Sequence, residues 1–297
     1  MFKLKGIYPP TPTPFDESGN IAWAHLESNI DFWCSTGLSG LVVMGSNGEF
    51  VTLSWAEKLE LIERSCSMAK GRKPIVVGCG CEGTRDTIAL CKHSAKSGAA
   101  AALVLNPNYY KAAVKDDMLR EYYTEVADAS PIPVIIYNMP GNTGVNLSAA
   151  LVASLAGHPN IIGIKDSGGN IVQISEILRD VPEDFSVFAG SCSYLYATLA
   201  LGGVGGTLAL ANVLPELCVQ VQTYVDQNKH AEAAALQKKL LAANAAVTTR
   251  FGIAGLKAAV EMVGLYGGPP RRPLLPLSAN DRQILQKILD EAASIVI

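Results

Sequence analysis

Residues 133–167 read PVIIYNMPGNTGVNLSAALVASLAGHPNIIGIKDS. Two short apolar runs, PVIIYN (133–138) and IIGIKDS (161–167), flank a helical segment that should stop at Gly157. Near-continuous Val/Ile runs mark strands covered on both faces, as in a parallel sheet. The same unit extends outward in both directions. Upstream lie ALVLNP (102–107), PIVVGCG (74–80), SGLVVMG (39–45) and GIYPP (6–10); downstream lie FSVFAG (185–190) and GGTLAL (205–210). Eight strand runs alternating with helices predict an α/β fold, a (β/α)₈ TIM barrel closed by right-handed crossovers. A doubly wound open sheet is the alternative. It would want a Gly-rich turn after the first strand, where this chain has Pro9-Pro10-Thr11-Pro12.

Helix signals fill the intervals. Ser54-Trp55-Ala56-Glu57 reads as a capping box, with Leu59, Ile62 and Cys66 following on one face; Leu26, Ile30 and Trp33 form a similar stripe. Gly71 and Gly98 stand at further helix stops. Beyond residue 215 the pattern turns helical through Val219–Val225, Ala231–Leu241 and Ile284–Ile295, with a break at Gly267–Pro273. The expected organisation is a barrel over 1–215 carrying the active site and C-terminal helices over 216–297 packed on it, within the same domain.

The 297 residues are 49% hydrophobic and 17% charged, with a formal net charge of −3, which gives no general attraction to nucleic acid or anionic membrane. An acidic substrate must therefore be held by local donors. Seven scattered cysteines suit a reducing compartment better than a disulfide framework. The opening MFKLKGIYPPTPTPF has no secretory or transit pattern and no apolar run is long enough to span a bilayer, so a cytoplasmic location is expected.

Barrel enzymes work at the C-terminal ends of their strands, and unusual polar residues collect there. Lys165 ends the sixth run. Burying an ammonium among apolar strands is costly, and desolvation favours the neutral, nucleophilic amine. By alternation it shares a face with Ile161 and Gly163, and Gly163 leaves it room. Equally open is a lysine that snorkels outward or pairs with Asp166. Tyr137 could carry a proton or be an ordinary strand tyrosine. Ser46-Asn47-Gly48 offers consecutive backbone N–H groups suited to a carboxylate, or is a plain turn. Tyr109-Tyr110 could cap the pocket, pack on another subunit, or form a buried pair. Cys79 and Cys81 lack a second ligand pair, and the four histidines have no metal-ligand spacing, so no metal is expected. Gly202–Gly206 lacks the following Lys-Ser/Thr of a phosphate cradle.

Three motifs, GSNGEF (45–50), YNMPGNTG (137–144) and GIKDS (163–167), in this order and at barrel spacing, resemble the family of dihydrodipicolinate synthase and N-acetylneuraminate lyase. Within it, HPNIIGIKDSGG (158–169), NAAVTTRFGIAGLK (244–257) and YGGPPRRPL (266–274) are similar to the 4-hydroxy-2-oxoglutarate aldolase branch. The resemblance implies a barrel with a C-terminal helical extension, a homotetramer, a Schiff base on Lys165 and a proton carrier at Tyr137. No cofactor is implied beyond that covalent Schiff base. Ser46 and Tyr109, the latter from an adjacent subunit, would assist the catalysis. Ser46, Asn47, Gly48, Asn142, Ser167, Gly190 and Thr207 form the expected substrate-binding set. The implied reaction cleaves 4-hydroxy-2-oxoglutarate to pyruvate and glyoxylate. The chain departs from dihydrodipicolinate synthases at Ser46 and Asn47, where they typically have two threonines, and at Asn142, where they have a carboxylate-gripping arginine. The alternatives are the synthase, condensing pyruvate with aspartate semialdehyde, a metal-dependent aldolase, and a non-catalytic binder of 2-oxo acids.

Overall fold

The structure, a computed structural model, describes residues 3–295. Each predicted run contains a strand: β1 (Gly6–Tyr8), β2 (Leu41–Val43), β3 (Ile75–Gly78), β4 (Ala101–Leu105), β5 (Val134–Asn138), β6 (Ile161–Asp166), β7 (Ser186–Ala189) and β8 (Gly205–Thr207). All pairings are parallel, in the order β1-β8-β7-β6-β5-β4-β3-β2. The two ends of this order meet at one bridge, Pro10 with Val42. Pro9 and Pro10 have no N–H to give, so this seam rests on other donors. Ser39 N–H donates to the Ile7 carbonyl, Val42 N–H to that of Pro9 and Thr11 N–H to that of Val42, each at 2.9 Å.

Helices alternate with the strands: α1 (Trp23–Ser35), α2 (Trp55–Ala69), α3 (Thr84–Lys96), α4 (Asp116–Ala129), a single turn α5 (Pro140–Thr143), α6 (Ala149–Leu155), α7 (Ile171–Asp180), α8 (Leu195–Ala200) and α9 (Pro215–Asp226). The capping box at α2 is complete, since Ser54 Oγ accepts from Glu57 N–H and the Glu57 carboxylate accepts from Ser54 N–H at 2.7 Å. The C-terminal helices are α10 (His230–Ala245), α11 (Gly252–Met262) and α12 (Ala279–Ala293). The sequence pattern does not predict α11, because Gly252 and Gly255 interrupt its helical wording. Packing requires Gly255: a Cβ there would collide with Phe251 and lie 2.8 Å from the Ala246 carbonyl oxygen. A π-helical segment, Ala246–Arg250, joins α10 to α11.

Strand alternation divides the core in two. Val134, Ile136, Ile164 and Val187 face outward into the layer shared with the helices. Tyr8, Val42, Val76, Leu103, Ile135, Tyr137 and Phe188 fill the barrel interior as a separate cluster. The interior is thus a packed core, and the C-terminal mouth is the end at which barrel enzymes carry their active sites.

Candidate active site

β5 and β6 set Tyr137 and Lys165 side by side in register, and Phe188 of β7 is the next partner across the sheet. Lys165 is buried at 4% exposure, and its Nζ lies 3.9 Å from the centroid of the Tyr137 ring. It therefore does not snorkel to solvent. Nor does it pair with Asp166, which alternation turns to the outside of the barrel. There the Asp166 carboxylate accepts from Asn138 Nδ2 at 2.7 Å, from Gly168 N–H at 2.9 Å and from Gln173 Nε2 at 3.4 Å. Asn138 Nδ2 also donates to Asn146 Oδ1 at 2.9 Å, and Asn138 Oδ1 accepts from Leu147 N–H at 3.1 Å. This outer network ties the ends of the two strands whose inner faces carry Tyr137 and Lys165.

Gly163 has a different reason from the expected one. A Cβ there would run into the Ser186 carbonyl oxygen on β7, so glycine is needed for strand approach.

Ser46 Oγ lies 3.3 Å from the Tyr137 hydroxyl. Burial pushes the phenol up, but the Lys165 charge, with Ser46, Lys165 and Ser167 as hydrogen-bonding neighbours, overcomes it and holds Tyr137 below the ordinary phenol value. Ser46–Gly48 is one 3₁₀ turn, whose first N–H groups, Ser46 and Asn47, have no partner inside the turn. Gly48 does not serve as expected: its N–H closes the turn onto the Gly45 carbonyl at 3.0 Å, and its own carbonyl accepts from Thr13 Oγ1 at 2.7 Å.

Two left-handed residues bracket this turn, Met44 at φ 58° and Glu49 at φ 55°. Neither is glycine, so the conformation is strained and must be held from outside. Glu49 supplies the hold. Its buried carboxylate receives Lys257 Nζ of α11 at 2.6 Å and the Arg271 N–H at 2.8 Å. Lys257 Nζ also donates to the Pro269 carbonyl at 2.9 Å and sits 4.3 Å from the centroid of Phe15. Arg271 in turn grips Glu57 of α2 at 2.6 Å. The C-terminal helices thereby brace the Ser46 turn. Sequence reasoning missed this brace, although a charged residue inside each of GSNGEF and GIAGLK was a visible signal.

The remaining expected residues are distributed around the mouth. Ser167 follows β6, with its N–H on the Asn138 carbonyl at 2.8 Å. Gly190 follows β7 against Ser167, where a Cβ would strike the Ser167 hydroxyl. Thr207, buried at the end of β8, pairs with the interior Tyr8. Asn142 is exposed on α5. Tyr109 is not brought to this group. It stands 78% exposed, edge-on to Tyr110 at 5.2 Å, with its N–H and that of Asn108 held by the Glu82 carboxylate.

Comparison with known proteins agrees with this geometry. A family profile described as the dihydrodipicolinate synthetase family matches residues 3–292. The chain is 35% identical to a probable mitochondrial 4-hydroxy-2-oxoglutarate aldolase of Emericella nidulans, over 97% of this chain and 95% of that one. It is 38% identical to the L-threo-3-deoxy-hexylosonate aldolase of Hypocrea jecorina, over 98% and 96% of the two chains. A crystal structure of a dihydrodipicolinate synthase from Bacillus anthracis superposes with a TM-score of 0.94 at 29% identity, covering 100% of both chains. A barrel with Lys165 and Tyr137 paired in its interior, matched over nearly its whole length, makes the chain a member of the dihydrodipicolinate synthetase family.

Proposed function

We propose that the chain is a class I aldolase that cleaves 4-hydroxy-2-oxoglutarate to pyruvate and glyoxylate through a Schiff base on Lys165. The observation that carries this is the buried Lys165 amine against the Tyr137 ring, with Ser46 on the phenol hydroxyl. The neutral amine of Lys165 adds to C2 of the substrate, and water leaves to give an iminium. That cation accepts the electron pair of the C3–C4 bond as it breaks, giving an enamine. Tyr137, as phenolate, takes the proton of the C4 hydroxyl, so that C4 leaves as the aldehyde of glyoxylate. The enamine is protonated at C3, and hydrolysis returns pyruvate and the free lysine. The lowered proton affinity of Tyr137 supports its part as the base.

The N–H groups of Ser46 and Asn47 would hold the C1 carboxylate, with Gly190 and Thr207 around the 2-oxo acid and Ser167 and Asn142 at the distal end. Because the lysine itself becomes the electron sink, the reaction needs no further cofactor. The exposed Tyr109–Tyr110 pair suits a surface covered by another subunit, which supports a homotetramer in which Tyr109 reaches a neighbouring site. Seven free thiols favour a reducing compartment, here the cytoplasm. Among the described residues no helix is long and apolar enough to cross a membrane.

A second reading, condensation of pyruvate with aspartate semialdehyde, draws on the likeness to the Bacillus anthracis synthase. Against it stands Asn142, which offers no charged fork to a carboxylate. The test is one preparation assayed for pyruvate release from 4-hydroxy-2-oxoglutarate and for pyruvate consumption with aspartate semialdehyde. Faster cleavage supports the aldolase, and faster condensation overturns it. Borohydride with pyruvate should attach a covalent adduct to Lys165; no adduct would leave a mere binder of 2-oxo acids.

A further inference from the structure

The cleavage proposed above has an unmet electrostatic need. Its substrate carries two carboxylates. The first is assigned to the amides of the Ser46 turn, and Lys165 is consumed as the iminium. The aldehyde end of the substrate carries the second carboxylate, and the expected residues there, Asn142 and Ser167, are neutral.

A cation that the sequence motifs do not point to stands against Gly144, two residues after Asn142. The loop after β4 carries Lys111 across to α5, where it lies against Gly144. A Cβ on Gly144 would stand 2.8 Å from Lys111 Nζ, 3.2 Å from its Cε and 3.6 Å from its Cδ. Gly144 has φ 67° and closes α5 with its N–H on the Pro140 carbonyl at 2.9 Å. A glycine at this corner meets the left-handed backbone and also clears the path of the lysine chain. The start of α5 abuts the loop after β6, since a Cβ on Gly168 would lie 3.4 Å from Pro140 Cγ. The single turn that carries Asn142 therefore meets the Gly168 corner at its first residue, Pro140, and Lys111 Nζ at its C-cap, Gly144. Lys111 is solvent-exposed and forms no ion pair among the described residues.

We infer that Lys111 is a specificity-determining residue that binds the carboxylate at the aldehyde end of the substrate, supplying from the β4 loop the charge that Asn142 cannot. This rests on the aldolase reading. An ammonium is a point charge on a flexible stem, without the planar fork of an arginine. The site should therefore accept a small anionic aldehyde such as glyoxylate without demanding one fixed orientation of it.

Two substrates test the inference: 4-hydroxy-2-oxoglutarate, and 4-hydroxy-2-oxopentanoate, which has a methyl group in place of the distal carboxylate and undergoes the same bond cleavage. Lys111→Gln should lower the ratio of their kcat/KM values, dicarboxylate over methyl analogue, by about 10–100-fold, through KM more than kcat. Lys111→Arg should restore most of the ratio. In wild type the ratio should fall as salt rises from low to high ionic strength, and in Lys111→Gln it should not. An unchanged ratio in Lys111→Gln, or equal losses on both substrates, would overturn the assignment while leaving the aldolase reading intact. A wild-type enzyme that forms the pyruvate adduct yet cleaves neither substrate would overturn both.

Discussion

Lys165 and Tyr137 are direct partners across the β5–β6 ladder, and Lys165 Nζ lies 3.9 Å from the centre of the tyrosine ring. The two side chains thus share one desolvated space, and the lysine charge helps to hold the phenol below its ordinary value.

Burial raises the Tyr137 phenol, and Lys165 with its polar neighbours lowers it by more, so wild-type Tyr137 should ionise below the ordinary value of 10.0. Lys165→Met removes the cation and leaves the burial, so Tyr137 should then ionise above that value. Ultraviolet difference titration against Tyr137→Phe reads both, and a Tyr137 step that does not move in Lys165→Met would refute the coupling. The same Lys165→Met protein should show no turnover, while Tyr137→Phe should lose about 10²–10⁴-fold in kcat.

Ser46→Ala deletes the hydroxyl that sits 3.3 Å from the Tyr137 oxygen but keeps the backbone amides of the turn. Loss of one such hydrogen bond should cost about 5–30-fold in kcat, with little change in KM for the 2-oxo acid. It should also move the Tyr137 ionisation upward. A rise in KM with kcat intact would show that Ser46 acts in binding alone.

The Glu49–Lys257 pair is shielded from water, and breaking one half leaves the other as an unpaired buried charge. Lys257→Met or Glu49→Leu should each destabilise the fold by about 3–5 kcal/mol, whereas the double variant should recover most of that loss. Desolvation lowers the Lys257 ammonium below its ordinary value despite the attraction of Glu49. The unfolded chain then binds more protons between the two values, so this residue's contribution to stability should grow as pH rises toward 10.5. Urea unfolding of the three variants, at neutral and alkaline pH, checks both statements.

Arg271 grips Glu57 and holds its carboxyl down at about 2, chiefly through their hydrogen bonds. A depressed carboxylate contributes stability above its unfolded value of 4.5 and loses it as pH falls toward 2. The melting temperature of Arg271→Gln should therefore lie below wild type at pH 7, with the gap closing through that acid window. A gap that stays constant down to pH 2.5 would assign the effect to packing on Phe15, which the guanidinium covers at 4.1 Å.

The barrel was legible because strand runs are short-range patterns: each of the eight apolar runs holds its own period and its own stop. Lys165 and Tyr137 were legible for a related reason, since a polar residue at the end of a buried run stands out against its neighbours. What escaped depended on partners far apart in the chain. Nothing local ties Glu49 to Lys257, 208 residues away, or Lys111 to the corner at Gly144. Helix α11 was missed because Gly255 obeys contacts with Phe251 and Ala246, and Gly252 at φ 57° starts the helix from a left-handed backbone; both outweigh poor helix propensity. Gly48 was misjudged because a run of amides looks uniform in sequence, while the turn spends one of them on itself.

The knot of Asn138, Asp166, Asn146 and Gln173 on the outer side of β5 and β6 carries a further implication for how this scaffold tolerates change. The strand period is two, so one residue inserted or deleted upstream of Tyr137 or Lys165 would exchange the two faces. A lysine and a phenol would then enter the helix-facing layer, while an amide and a carboxylate would turn into the barrel. Hydrophobic content would be nearly preserved, yet both the reactive pair and its tether would be lost together. Length variation in descendants of this chain should accordingly be confined to the loops, and the spacing of Tyr137 to Asn138 and Lys165 to Asp166 should behave as an indivisible unit of inheritance.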